Sequence, residues 1–181
     1  MSNKIEYYFT HMTYSINTLR RILKTGKIVP SKLLKSKYSM FSGYAKHNHI
    51  YTNIYFCDLK NLTDVPDFTI LIKSTAINTN ANMEFHGGWK LQGSECIKMK
   101  KNTDVVKNIS KIHRFVKNKR NGVPQEILNH EFLFGKPISV KKYVFGIVCH
   151  NAESFIKINK MIIRYGYNIK IYNEHIPTSF V

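Results

Sequence analysis

Cys57, Cys96 and Cys149 are the only cysteines in 181 residues, odd in number and far apart. That argues against a disulfide framework and points to a reducing, intracellular compartment. Each lies in or near an apolar or irregular stretch, where a free cysteine usually just packs. No CxxC or HExxH pairing occurs, and His11, His86, His113 and His130 show no metal-ligand spacing, so no metal is expected. No apolar run is long enough to cross a bilayer. The opening MSNKIEYY has neither the apolar core nor the small-residue cleavage site of a signal peptide. A Walker loop and a GxGxxG are missing, and Gly87-Gly88 is only a turn signal. Repeats, low-complexity tracts and linkers are missing too, so residues 1–181 read as one domain.

Acid is also in short supply. Against 11 Asp and Glu stand 28 Lys and Arg, a formal net charge of +17. Such a surface attracts polyanions by releasing their counterions. The compositional alternative is that Lys- and Asn-rich chains come from A+T-rich genomes. The charge is spread along the chain, which fits a charged face better than a basic arm. A hydrophobic fraction of 43% is enough to build a core.

The patterning is that of a mixed α+β chain. Residues 5–10 have strand composition. A helix follows, capped by Ser15 or Thr13, with Ile16, Leu19, Ile22 and Leu23 on one face and Gly26 as terminator. Residues 30–49 read as a basic loop, 50–57 and 67–73 as strands, and 74–102 as irregular. Asp104 caps a second helix, lined by Val105, Ile109, Ile112 and Val116 on one side and Lys107, Lys111, Arg114 and Lys117 on the other. Strands are expected at 131–134, 143–149 and 168–172. Asn151 starts a helix between the last two, with Phe155, Ile158 and Ile162 inward and Gly166 at its end.

Three constellations carry chemistry. In YFTHMTYSINTLRRILKTG, His11 and Thr13 lie where a strand gives way to a helix, a place suited to hydrogen-bonding a small polar ligand; the plainer reading is a histidine satisfying a local backbone group. In NHIYTNIYFCDL, alternation puts Tyr51, Asn53 and Tyr55 on one face and Thr52, Ile54 and Phe56 on the other. One face can support a flat heterocycle while the other joins the core, although strand aromatics mostly just pack. In NHEFLFGKPISVKKYVFGIVC, Glu131 opens an apolar strand, where a carboxylate is costly unless paired or at an open edge. At the mouth of a cleft it would stabilise an oxocarbenium-like centre and ready a nucleophile. The plainer reading is an exposed strand-end glutamate, and Glu126 is the rival carboxylate.

In this order, the three segments resemble the ADP-ribosyltransferase superfamily, and within it the DarT-type transferases that modify DNA bases. Those carry a Tyr-His-x-Thr-His type motif before an NLxxILxxG type helix, similar to the first segment here with a residue or two inserted. HIYTNIYF is similar to their aromatic strand, and EFLFGKPISVKKYVFGIVC to the strand that starts on their catalytic glutamate. The resemblance implies an α+β fold with a split, strongly bent mixed β-core flanked by helices, holding NAD as substrate in the cleft. It implies Glu131 as the catalytic residue, His11 and Thr13 on the nicotinamide riboside, and Tyr51 or Tyr55 on the nicotinamide side. Two departures stand out. Matching the Thr-His steps puts Tyr8, not His11, at the family's first histidine. The family's NAD-loop arginine has no counterpart in residues 32–47, where Lys46 is a point-charge substitute that cannot copy a bidentate guanidinium.

The implied activity is NAD-dependent mono-ADP-ribosyl transfer. The basic surface favours single-stranded DNA or RNA as acceptor, with Lys107, Lys111, Lys117 and Arg120 on phosphates and Tyr44 stacking on a base. Toxin, defence factor and viral effector are equally compatible settings. The alternatives are a protein-directed transferase or RNA 2′-phosphotransferase of the same fold, and a non-catalytic basic module that binds nucleic acid.

Overall fold

The computed structural model describes residues 5–13, 15–30, 48–59, 67–87, 96–120 and 131–173. Its elements run β1 (Tyr7–Met12), α1 (Ile16–Thr25), β2 (Lys27–Ile28), β3 (Ile50–Phe56), β4 (Thr69–Lys73), a 3-10 turn (Ser74–Thr79), β5 (Met83–His86), β6 (Cys96–Met99), α2 (Asn102–Arg120), β7 (Glu131–Phe134), β8 (Ile138–Ser139), α3 (Val140–Tyr143), β9 (Val144–Val148), α4 (Ala152–Arg164) and β10 (Lys170–Tyr172). Among the described residues, eight strands join in the order β10-β9-β4-β1-β3-β7-β5-β6, and β2 pairs with β8 separately. All neighbours in the large sheet are antiparallel except β9 and β10. No helix among the described residues is long and apolar enough to cross a membrane.

Period-two patterning explains how the sheet is used. On β3, Ile50, Thr52, Ile54 and Phe56 are buried while Tyr51, Asn53 and Tyr55 are half-buried, as alternation requires. The buried set continues through Phe9, Ile70, Ile72, Phe85, Phe132 and Phe134 and meets the inner sides of the helices, Leu19 and Leu23 from α1, Val105, Ile112 and Val116 from α2, Ile158 and Ile162 from α4. Rings of Phe9, Phe132 and Phe134 lie 4.7 to 5.1 Å apart at tilted or edge-on angles, the arrangement ring quadrupoles favour. The other face has a smaller apolar cluster, Tyr8, Leu71 and Val148, with Tyr55, Phe145 and Tyr172 against it.

Local chemistry sets the helix ends. Ser15, not Thr13, caps α1, accepting from the Thr18 backbone N–H; Thr13 is turned inward and donates to the Phe68 carbonyl. Gly26 ends α1 at φ +70°, a left-handed conformation that costs glycine least. Asn151 caps α4 through Ser154 N–H. Asp104 lies in the first turn of α2, which begins at Asn102, and its carboxylate accepts from the backbone N–H groups of Lys100 and Lys101.

Three expectations need correction. Residues 74–102 are not irregular throughout: they contain the 3-10 turn, β5 and β6. Four-residue strands are too short for alternation to stand out, and their stability comes from pairing. Phe155 is 38% exposed, because Ile158, Met161 and Ile162 already fill the inward stripe of α4. β1 extends through His11 and Met12, held there by β4 through the pairs His11↔Ile70 and Met12↔Thr69.

Candidate active site

The sheet forks at β1 and β3. From Tyr7↔Phe56 to Thr10↔Asn53 these strands are paired. Beyond that, among the described residues, His11 and Met12 pair only with β4, while Ile50, Tyr51 and Thr52 pair with β7 on β3's opposite edge. Parting strands leave backbone groups that need partners. The Tyr51 carbonyl finds one in His11, whose Nδ1 lies 2.8 Å away. A carbonyl only accepts, so Nδ1 carries the proton and Nε2 is left as an acceptor. Burial pushes the His11 pKa down, and the carbonyl bond opposes this only in part. The ring is therefore a neutral imidazole fixed across the fork.

Glu131 is the first residue of β7 and half-buried. It pairs in register with His86 on β5. One step beyond the β3·β7 pair Thr52↔Phe132 lie Asn53 and Glu131, so both stand on the polar face where β3 leaves β1. Thr52 secures this join from the buried side, its hydroxyl donating to the Phe132 carbonyl at 2.6 Å. Glu131 thus opens a strand whose next three residues are core, in register with the point on β3 where β1 departs.

The other sequence candidates divide clearly. Tyr51 faces the polar side beside β7, in register with Leu133. Tyr55 is further from the fork and stacks on Tyr8, ring centroids 5.3 Å apart. Tyr8 is buried in the second apolar cluster, and desolvation, with Cys57 and Tyr172 adding to it, raises its pKa well above the usual phenol range. Thr13 is 3% exposed, and both its hydroxyl and its backbone N–H point to the Phe68 carbonyl. Lys107, Lys111 and Lys117 are exposed on α2. Arg120 closes α2, but its side chain, together with Tyr44, Lys46 and Glu126, lies outside the described residues.

The structure also assembles residues that spacing did not reveal. Asn53 and His86 join the polar face beside Glu131. Through the β5–β6 hairpin, Glu84, His86 and Cys96 converge, with all three ligand atoms within 4.8 Å of one another. Cys96 is exposed, contrary to the expectation that each cysteine simply packs. Ten residues separate His86 from Cys96 in sequence, and only the register His86↔Cys96 brings them together.

The architecture is that of a DarT-like ADP-ribosyltransferase fold. Superposition on Thermus sp. 2.9 DarT in complex with NAD+ gives a TM-score of 0.59, with 13% identity over 96% of this chain and 97% of that one. The same protein in complex with ADP-ribosylated single-stranded DNA gives 0.56, with 12% identity over 93% and 92%. In sequence, the chain is 31% identical over 187 residues to Uncharacterized protein R11 of Acanthamoeba polyphaga mimivirus, spanning 93% of this chain and 68% of that protein. Residues 4–119 match the model of a family of unknown function, DUF5846, and the chain belongs to that family. This match runs from β1 through nearly all of α2 and stops before β7 and Glu131.

Proposed function

We propose that this protein is an NAD-dependent mono-ADP-ribosyltransferase acting on nucleic acid, with Glu131 as its catalytic residue. The observation that supports the reading is the forked sheet, in which a neutral imidazole bridges β1 and β3 and a strand-opening carboxylate stands on β7, the next strand, in a fold shared with a protein solved with NAD+. One acceptor nitrogen, half-buried tyrosines and one carboxylate suit the cationic nicotinamide riboside of NAD+ and the oxocarbenium-like sugar that inherits its charge as neutral nicotinamide leaves.

In the reaction, the bond between ribose C1 and the nicotinamide nitrogen breaks, and its electron pair leaves with nicotinamide. The sugar passes through an oxocarbenium-like state, which a carboxylate stabilises by charge. A nucleophile on the acceptor attacks C1, and Glu131 takes the proton it releases. His11, with Nε2 free to accept, orients the riboside, and Tyr51 supports the nicotinamide side. Thr13 positions the turn after β1 through Phe68 rather than reaching the substrate with its hydroxyl. Lys46, Tyr44 and Arg120 keep their proposed roles toward NAD and nucleic acid. Lys107, Lys111 and Arg114 form one outward stripe of α2 by helical spacing, suited to phosphates.

The test is incubation of wild type and Glu131→Gln with labelled NAD and, separately, single-stranded DNA, RNA or a protein extract. Label transfer by wild type alone to a nucleic acid is the expected result. Label in protein would keep the transferase and replace the acceptor. Release of nicotinamide by neither protein, with nucleic-acid binding intact in both, would favour the non-catalytic basic module.

A further inference from the structure

The β5–β6 hairpin holds a cluster that the transferase chemistry does not use. His86 and Cys96 are direct cross-strand partners, and Glu84 is two residues before His86 on the same strand, so all three project from one face. His86 Nε2 lies 2.9 Å from Glu84 Oε2 and 3.8 Å from Cys96 Sγ. The Glu84 side chain is 12% exposed and that of His86 30%.

Two readings compete for such a trio. A cysteine nucleophile activated by a histidine needs the acid on one ring nitrogen and the thiol on the other. Here both the carboxylate and the sulfur approach the same nitrogen, Nε2. One N–H cannot serve two acceptors well, so the sulfur has only a long contact. Three donors turned toward one point are instead what an ion between them requires. Tetrahedral zinc, with bonds of about 2.0–2.3 Å, sets its ligands about 3.2–3.6 Å apart, and the observed separations straddle that range. Imidazole, thiolate and carboxylate together suit a borderline-soft divalent ion and disfavour magnesium or calcium, which select oxygen sets.

We propose that Glu84, His86 and Cys96 form a binding site for one divalent transition-metal ion, zinc foremost, with a position left for water or a further ligand. The inference stands on the hairpin geometry and does not depend on the transferase reading. Because His86 is also the register partner of Glu131, an ion here sits one strand from that carboxylate and ties the short edge strand β6 to β5.

The experiment uses reduced, metal-stripped full-length protein, titrated with Zn2+ by calorimetry and with Co2+ by absorption. One equivalent of Zn2+ should bind, with a rise in melting temperature, and Co2+ should give a thiolate charge-transfer band. Cys96→Ser should lose that band and weaken Zn2+ binding at least tenfold, as should His86→Ala, while Lys98→Ala on the same hairpin leaves both unchanged. Circular dichroism of each variant separates lost ligation from lost fold; should His86→Ala not fold, the exposed Cys96→Ser and the milder Glu84→Gln decide the matter. Absence of stoichiometric binding, or binding equal in Cys96→Ser and wild type, would overturn the proposal. Activity plays no part in the readout, so its outcome is separable from that of the Glu131 test.

Discussion

The two faces of the large sheet are made by alternate residues of the same strands, yet they serve opposite ends. One face of β1, β3 and β7 contributes Phe9, Ile54, Phe132 and Phe134 to the helix-packed core. The other contributes Tyr8, Thr10, Tyr51, Asn53, Tyr55 and Glu131. On β7 the boundary falls between neighbours: Glu131 is half-buried and Phe132 is fully buried. A rigid core face one residue away is what would keep the proposed catalytic carboxylate within the narrow tolerance such chemistry demands. The polar face thus derives its precision from the apolar one.

Adjacent substitutions on β7 give the sharpest way to break this comparison. Glu131→Gln should lower ADP-ribosyl transfer by about 10²–10⁴-fold, the usual range for a general acid-base group, with the denaturation midpoint nearly unmoved. Transfer at the wild-type rate would remove Glu131 from the chemistry. Phe132→Ala should instead destabilise the fold by about 3–5 kcal/mol, read from urea unfolding. A loss under about 1 kcal/mol, far below the usual cost of emptying a core phenylalanine site, would mean the helix-packed face is not the core described.

Between those extremes sits His11, which belongs to both the fork and the fold. His11→Ala removes the hydrogen bond to the Tyr51 carbonyl and should cost about 1–3 kcal/mol. The pH dependence has a definite sign. Burial holds the folded imidazole below the 6.5 of a free histidine, so below that pH the unfolded chain binds more protons. Stability from this group is therefore complete above about pH 6.5 and is lost as pH falls toward the folded value. Wild type should show this acid-side decline and His11→Ala should lack it; equal slopes would contradict a buried, neutral ring.

Gly146 tests the apolar cluster that the Glu131-bearing face carries away from the fork. A Cβ there would lie 2.5 Å from the Tyr172 ring and 2.9 Å from Leu71 Cδ1. Gly146→Ala should cost about 1–3 kcal/mol by overpacking without changing the transfer rate per folded molecule. The smallest effect is expected on α2. Replacing Lys107, Lys111 and Arg114 with Ala should leave stability within about 0.5 kcal/mol. It should also lower the salt dependence of single-strand binding by about 0.7 in slope for each phosphate no longer neutralised. An unchanged slope would move the nucleic-acid surface off this helix.

Much of the scaffold is legible in the chain. Alternation across 51–56, the helical spacing of α1 and α2, Ser15, Asn151 and Gly26 all report local preferences that the tertiary structure leaves standing. The mixed α+β architecture follows from the order of those segments and from their resemblance to known transferases. β5 and β6 escape such a reading because four residues among Asn, Gly and Met carry too little pattern. Phe155 is misplaced by it because helical spacing cannot say which of several apolar residues the sheet has room to cover.

By itself the sequence determined the net charge of +17, the placement of Glu131 at the head of an apolar strand, and which side chains of β3 share a face. These follow from residue type and from a repeat of two. Only the tertiary structure decided that β1 and β3 part after Thr10↔Asn53, that His11 is held neutral against Tyr51, and that Glu84, His86 and Cys96 meet. Each of these depends on which strands pair and in what register, and register is settled by the packing of the whole sheet against its helices.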